Sequence, residues 1–161
     1  MLLAVGLAVG QLTVVAHHRS EAAALSRTEL GALFRVSRLA AEQPSAADVE
    51  LSVRSELLGV LALSECRFAD ISALDRPVLE PSGAVLGGGR RFTATGEYSL
   101  PDEGVAIAVD GAGQRFGYLL CTPIPGTGIS LERRRVAVAL ADQLGLALAA
   151  SRDQKNEGGR G

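Results

Sequence analysis

Apolar residues run almost unbroken from Leu2 to Ala16, with Gln11 and Thr13 as the polar interruptions, and His17-His18-Arg19 comes directly after. A bilayer span takes about 20 apolar residues, so residues 1–19 read as a membrane helix or the end of a truncated one. A secretory signal closing at Val14-Val15-Ala16 is the rival reading, but no Lys or Arg precedes the apolar run. The flanking Arg19 then places the remainder of the chain in the cytoplasm, at the inner membrane. Without a span the whole chain is cytoplasmic.

From residue 20 to 43 the period is helical. Leu30, Leu33, Phe34, Ser37 and Ala41 share one face, and Leu25, Val36 and Leu39 widen its apolar surface. This predicts a signalling or linker helix that ends before Pro44. Ser45-Ala46-Ala47-Asp48 is an N-cap with an acidic residue in the first turn, and Val49, Val53, Leu57 and Val60 continue as the stripe of a second helix to about Ala62.

At Glu65 the period shortens. Cys66 to Ile71 reads as a strand, a loop marked by Pro77 and Pro81 comes next, and Ser82–Leu86 and Arg91–Thr95 are short strands. Gly104 to Val109 alternates, with Val105, Ile107 and Val109 on one face. Arg115 to Thr122 answers it across Asp110-Gly111-Ala112-Gly113, so the two form a hairpin. Apolar residues fall on both sides of the second arm, which predicts a central strand. Ser130 to Ala150 is a closing helix with Val136, Leu140, Leu144 and Ala147 buried, and residues 151–161 are a polar tail expected to be disordered. The expected class is α+β: a central antiparallel sheet of five to six strands, flanked by N-terminal helices and a C-terminal helix, with the globular part over residues 44–150.

Composition removes several kinds of chemistry. The one Lys and the one Asn are Lys155 and Asn156 in the tail, and His occurs only as His17 and His18. The globular part therefore holds no P-loop or Schiff-base lysine and no histidine for a triad or metal centre. A net charge of −2 and 4% aromatic residues give neither the field nor the stacking surface that nucleic acid requires. Cys66 and Cys121 read as reduced core residues, and thiol chemistry between them requires that their strands be neighbours. Gly87-Gly88-Gly89-Arg90-Arg91 is a hairpin turn or an anion-binding nest. Arg133-Arg134-Arg135 is the solvated face of a helix start, or a grip for an acidic partner or lipid headgroups. No catalytic residue, metal site or cofactor emerges.

The closing hairpin and helix carry a resemblance. Gly113-Gln114-Arg115-Phe116-Gly117-Tyr118-Leu119-Leu120 and Val138-Ala139-Leu140-Ala141-Asp142-Gln143-Leu144-Gly145-Leu146-Ala147-Leu148 are similar to the last strand and helix of GAF domains. With the apolar start and Leu131-Glu132-Arg133, the chain also resembles the cytoplasmic end of actinobacterial membrane proteins that carry a four-helix domain like that of the sensor kinase KdpD, here truncated. The resemblance implies a non-catalytic sensory or regulatory module, with a cavity for an unknown small molecule at Phe92, Tyr98, Val105, Ile107 and Tyr118. Members that bind cyclic nucleotides, haem or bilin rely on residues this core lacks or buries. Two alternatives stand beside it. One is a ligand-free module that forms a homodimer through Leu25, Leu30, Leu33, Val36, Leu140 and Leu144; the other is the sensor fragment of a KdpD-related two-component histidine kinase. Kinase activity itself is not expected, since His17-His18-Arg19-Ser20-Glu21 lacks the proline of a phosphoacceptor motif and the residues after Ala150 are too few for an ATP-binding domain.

Overall fold

A computed structural model describes residues 27–41, 45–70, 74–87, 89–93 and 95–158. The apolar segment 1–19, Leu25, and the histidine pair fall outside the described residues, and so does the membrane span read there. No helix among the described residues is long and apolar enough to cross a membrane.

Helix α1 spans Arg27–Ala41 and α2 spans Ala46–Val60. The start of α2 is fixed by a reciprocal cap: the Asp48 amide donates to Ser45 Oγ at 3.2 Å, and the Ser45 amide donates to Asp48 Oδ2 at 3.2 Å. Two orphan donors are satisfied by one another's side chains. The stripe Val49, Val53, Leu57 and Val60 is buried as its spacing predicts. An exposed ion pair, Arg35 Nε to Glu56 Oε1 at 2.6 Å, joins α1 to α2; Glu56 raises the Arg35 pKa by hydrogen bonding first and by charge second.

Eight strands come next among the described residues: β1 Leu63–Ala69, β2 Val78–Leu79, β3 Val85–Gly87, β4 Arg90–Phe92, β5 Tyr98–Ser99, β6 Val105–Gly111, β7 Gln114–Pro123 and β8 Gly128–Ile129. Six form one sheet in the order β1-β7-β6-β2-β3-β4, and β5 pairs with β8 in a separate ribbon. The sheet is mixed, which corrects the antiparallel expectation. β2 runs parallel to β6, with Val78 opposite Ala106 and Leu79 opposite Ile107, and the Ala106 amide donates to Pro77 O at 2.8 Å. Two strand residues in a segment bounded by Pro77 and Pro81 carry too little pattern to read as a strand, and here it is the neighbouring ladder that makes them one. β7 lies between β1 and β6, the central position its two-sided apolar pattern predicts.

Helix α3 spans Leu131–Gly158 and crosses β6, with α1 and α2 packed beside it. The residues expected as a disordered tail continue this helix, so residues 151–158 extend it into solvent. Arg152, Gln154 and Lys155 are acceptable helix formers, and nothing in the segment breaks the turn. The core lies between helices and sheet, where Val36, Val53, Leu57, Ile107, Leu119, Leu140 and Leu144 are wholly buried. Burial of a side chain of this kind stabilises the fold by roughly 1.5–3 kcal/mol. The architecture is α+β, with three helices among the described residues over a six-stranded mixed sheet.

Candidate functional site

The β2–β4 end of the sheet leaves a half-open cleft of about 670 Å³, within the size range of small-molecule sites. Phe92 closes β4, Tyr98 opens β5, and Arg76, Pro77, Pro101 and Glu103 come from the intervening loops; Val85 and Gly87 contribute the β3 wall. The β3–β4 hairpin exists because Gly89 takes a φ of +73° in the turn, a conformation glycine adopts without steric cost. Gly89 thus belongs to a hairpin turn, and Arg90 and Arg91 to the strand that leaves it. Arg91 reaches back to Glu80 Oε1 at 2.8 Å and is occupied there.

Arg76 is the distinctive group of the cleft. Its side chain is 22% exposed, and its Nε is buried with no hydrogen-bond partner among the described residues. Asp75, 90% exposed, lies 3.5 Å from that nitrogen without the geometry of a hydrogen bond. A buried donor left unmade costs about 1–3 kcal/mol, so Arg76 gains from any acceptor that enters. Gly104 keeps the space beside it open: with φ +89°, a side chain here would press on Arg76 Nη1 and the Cys121 carbonyl.

Tyr98 is held from behind. Arg134, 1% exposed, places its guanidinium 5.6 Å from the Tyr98 ring, donates from Nε to Gly83 O at 2.8 Å and donates from Nη1 to Ile129 O at 3.0 Å. Burial pulls the Arg134 pKa down, while the nearby Tyr98 and Glu132 oppose that. Arg134 is therefore a buried staple, while its neighbours reach backbone carbonyls from the solvent side of the helix start. Arg133 Nη2 donates to Gly59 O at 2.8 Å, and Arg135 Nε donates to Ser82 O at 3.2 Å. A buried guanidinium becomes tolerable where a loop turns several carbonyls toward it, which no local pattern announces.

Of the residues expected at a pocket, Phe92 and Tyr98 line the cleft. Val105 and Ile107 do not: both are wholly buried beneath the helices, because the apolar face of β6 is the one α3 covers. Tyr118 sits apart, half-buried, where its hydroxyl accepts from Arg115 Nη1 at 2.5 Å and its ring lies 4.9 Å from that guanidinium. Asp110, whose hydrogen bond is the main cause of the raised Arg115 pKa, holds the other side of that arginine. Arg76 and Glu103 were missed, since neither belongs to a motif.

Three of the residues expected at a dimer seam face inward. Val36, Leu140 and Leu144 are wholly buried within the chain, and Leu30 and Leu33 are half-buried. Among the described residues, the large apolar side chains that face solvent on the helices are Phe34, Leu51, Leu58 and Leu146. A helical stripe names a buried face without saying what buries it.

Among the described residues no group of three metal-ligating side chains occurs. The chain matches no protein-family model, no curated protein and no solved structure.

Proposed function

We propose that the chain is a non-catalytic sensory or regulatory module of GAF-like kind, from a membrane-associated bacterial signalling protein, whose cleft takes a small organic anion with a flat apolar body. The observation that carries this reading is Arg76, a cation with a buried unsatisfied Nε, in one cleft with the rings of Phe92 and Tyr98. A guanidinium forks onto a carboxylate, and the two rings supply stacking surface for the rest of the ligand. The carboxylates of Asp75 and Glu103 in the same lining repel a second negative group, which points to a monoanion. The lack of Lys, Asn and His between residues 20 and 150 supports binding over catalysis.

The test is thermal unfolding of the full chain with benzoate and indole-3-acetate, with benzamide as the uncharged counterpart. A ligand at 100 times its Kd stabilises by about 2.7 kcal/mol, a shift of several degrees. Stabilisation by a carboxylate but not by benzamide, abolished in Arg76→Gln, is the expected result. An equal response to benzamide, or a response that survives Arg76→Gln, overturns the anion reading.

A second reading has its own observation. Leu51 and Leu58 lie two turns apart on α2 and are 67% and 40% exposed, and Phe34 on α1 is 77% exposed. These side chains favour a homodimer through the helical layer, with or without a ligand in the cleft.

A further inference from the structure

Cys66 on β1 and Cys121 on β7 occupy one rung of the antiparallel ladder, and their sulfurs lie 3.8 Å apart. Both are free thiols, 4% and 0% exposed. Opposed residues in such a ladder have Cα atoms about 4.5–5.5 Å apart, inside the range of roughly 4.4–6.8 Å that a disulfide spans. Bringing the sulfurs to bonding distance therefore takes side-chain rotation and no movement of strands.

The two thiols are also unequal. The two thiols share a hydrogen bond in which either sulfur can be the donor, and this contact is the main cause of the lowered Cys66 pKa, with Arg54 adding a favourable positive charge; burial and the carboxylates of Glu50 and Glu65 oppose both. Arg54 is fixed there by its Nε donating to Cys66 O at 2.9 Å. Cys121 is pushed well up by the same thiol contact and by deeper burial. Two thiols 3.8 Å apart, of which Cys66 is the more acidic and the less deeply buried, supply the sulfurs that an attacking and a resolving cysteine require.

We propose that Cys66 and Cys121 form an oxidisable dithiol, which an oxidant of the hydroperoxide class closes into a disulfide between β1 and β7. The Cys66 thiolate attacks the terminal peroxide oxygen: an S–O bond forms, the O–O bond breaks, and the departing oxygen takes a proton to leave as alcohol or water. Cys121 sulfur then attacks Cys66 sulfur. The S–S bond forms, the S–O bond breaks, and hydroxide leaves as water with the Cys121 proton. The two thiols lose two electrons and the peroxide gains them. This site is separate from the cleft and stands whether or not the cleft binds an anion.

The experiment uses the full chain, reduced, freed of reductant and treated with hydrogen peroxide, then denatured in N-ethylmaleimide. The expected product has lost two hydrogens, takes up no maleimide, runs as a single chain without reductant and gives one linked peptide containing Cys66 and Cys121. Closing the long loop between them raises Tm by on the order of 10 °C, and dithiothreitol reverses the change. Cys121→Ser stops at a sulfenic acid on Cys66 that dimedone captures, whereas Cys66→Ser leaves Cys121 a thiol. Full maleimide labelling after peroxide, a sulfinic or sulfonic Cys66 without the linked peptide, or a bond between two chains each overturns the proposal.

Discussion

Gly111 on β6 and Gly145 on α3 meet backbone to backbone: a methyl group on Gly111 would overlap the Gly145 carbonyl, and one on Gly145 would overlap the Asp110 carbonyl. This contact lets α3 lie low enough on β6 to cover Val109 and Ile107, both wholly buried. It also separates two roles within one turn sequence. The hairpin turn is made by Ala112 and Gly113, at φ +50° and +74°, while Gly111 pairs with Gln114 and serves the crossing.

Gly145→Ala is accordingly expected to cost on the order of 3 kcal/mol, since both partners at the clash are backbone and neither can yield. Gly59→Ala on α2 meets nothing within 4 Å and should gain about 0.5–1 kcal/mol from helix propensity. Urea unfolding of the two variants checks the contrast. A Gly145→Ala midpoint equal to that of the unaltered chain would refute the close crossing.

Much of this crossing is invisible to local pattern, and the same holds for the site. The Ser45–Asp48 cap, the Val49 to Val60 stripe and the β6–β7 hairpin are legible because each is written within a few residues. Strand β2 is not, because its partner Ala106 lies far along the chain. Arg134 reads as surface until Gly83 O and Ile129 O are seen to surround it. In the cleft, Phe92 and Tyr98 are foreseeable as aromatics beside loops. Arg76 and Glu103 reach it only through the fold, and alternation in β6 identifies an inner face without telling cleft from helix layer.

Arg134→Lys should destabilise by about 2–3 kcal/mol. Lysine cannot reproduce the fork onto two separate carbonyls, and those acceptors would stay buried and unmet. Arg135→Lys, at an exposed position with one contact to Ser82 O, should stay within about 0.5 kcal/mol of the unaltered chain. Chemical unfolding compares them, and equal losses would mean that Arg134 is not the staple described.

Asp142 lies one turn before Gly145, and the approach of the strand strips water from its carboxyl, raising its pKa above 3.8, with Asp110 adding like charge. A carboxyl whose pKa is raised by folding binds its proton more tightly in the folded state, so stability falls as pH climbs from 3.8 through the raised value. Asp142→Asn removes that loss. The variant should be the more stable protein at pH 7, and the difference should close once the pH drops below the ordinary carboxylate range. A difference that is independent of pH would assign the effect to helix propensity instead.

The exposed apolar positions decide whether the helical layer pairs with a second chain. If it does, Leu51→Glu combined with Leu58→Glu places two carboxylates on that surface, and burying them unpaired would cost several kcal/mol at the interface. Light scattering should then report two chains for the unaltered protein and one for the variant. Leu140 and Leu144 are unsuited to this test, because both are wholly buried within the chain and truncating either would cost about 2–5 kcal/mol of monomer stability. Phe34→Glu serves as a second probe on α1, where the side chain is 77% exposed and its replacement leaves the core untouched. A single chain for the unaltered protein across the micromolar range would remove the dimer reading and leave the exposed leucines as ordinary surface.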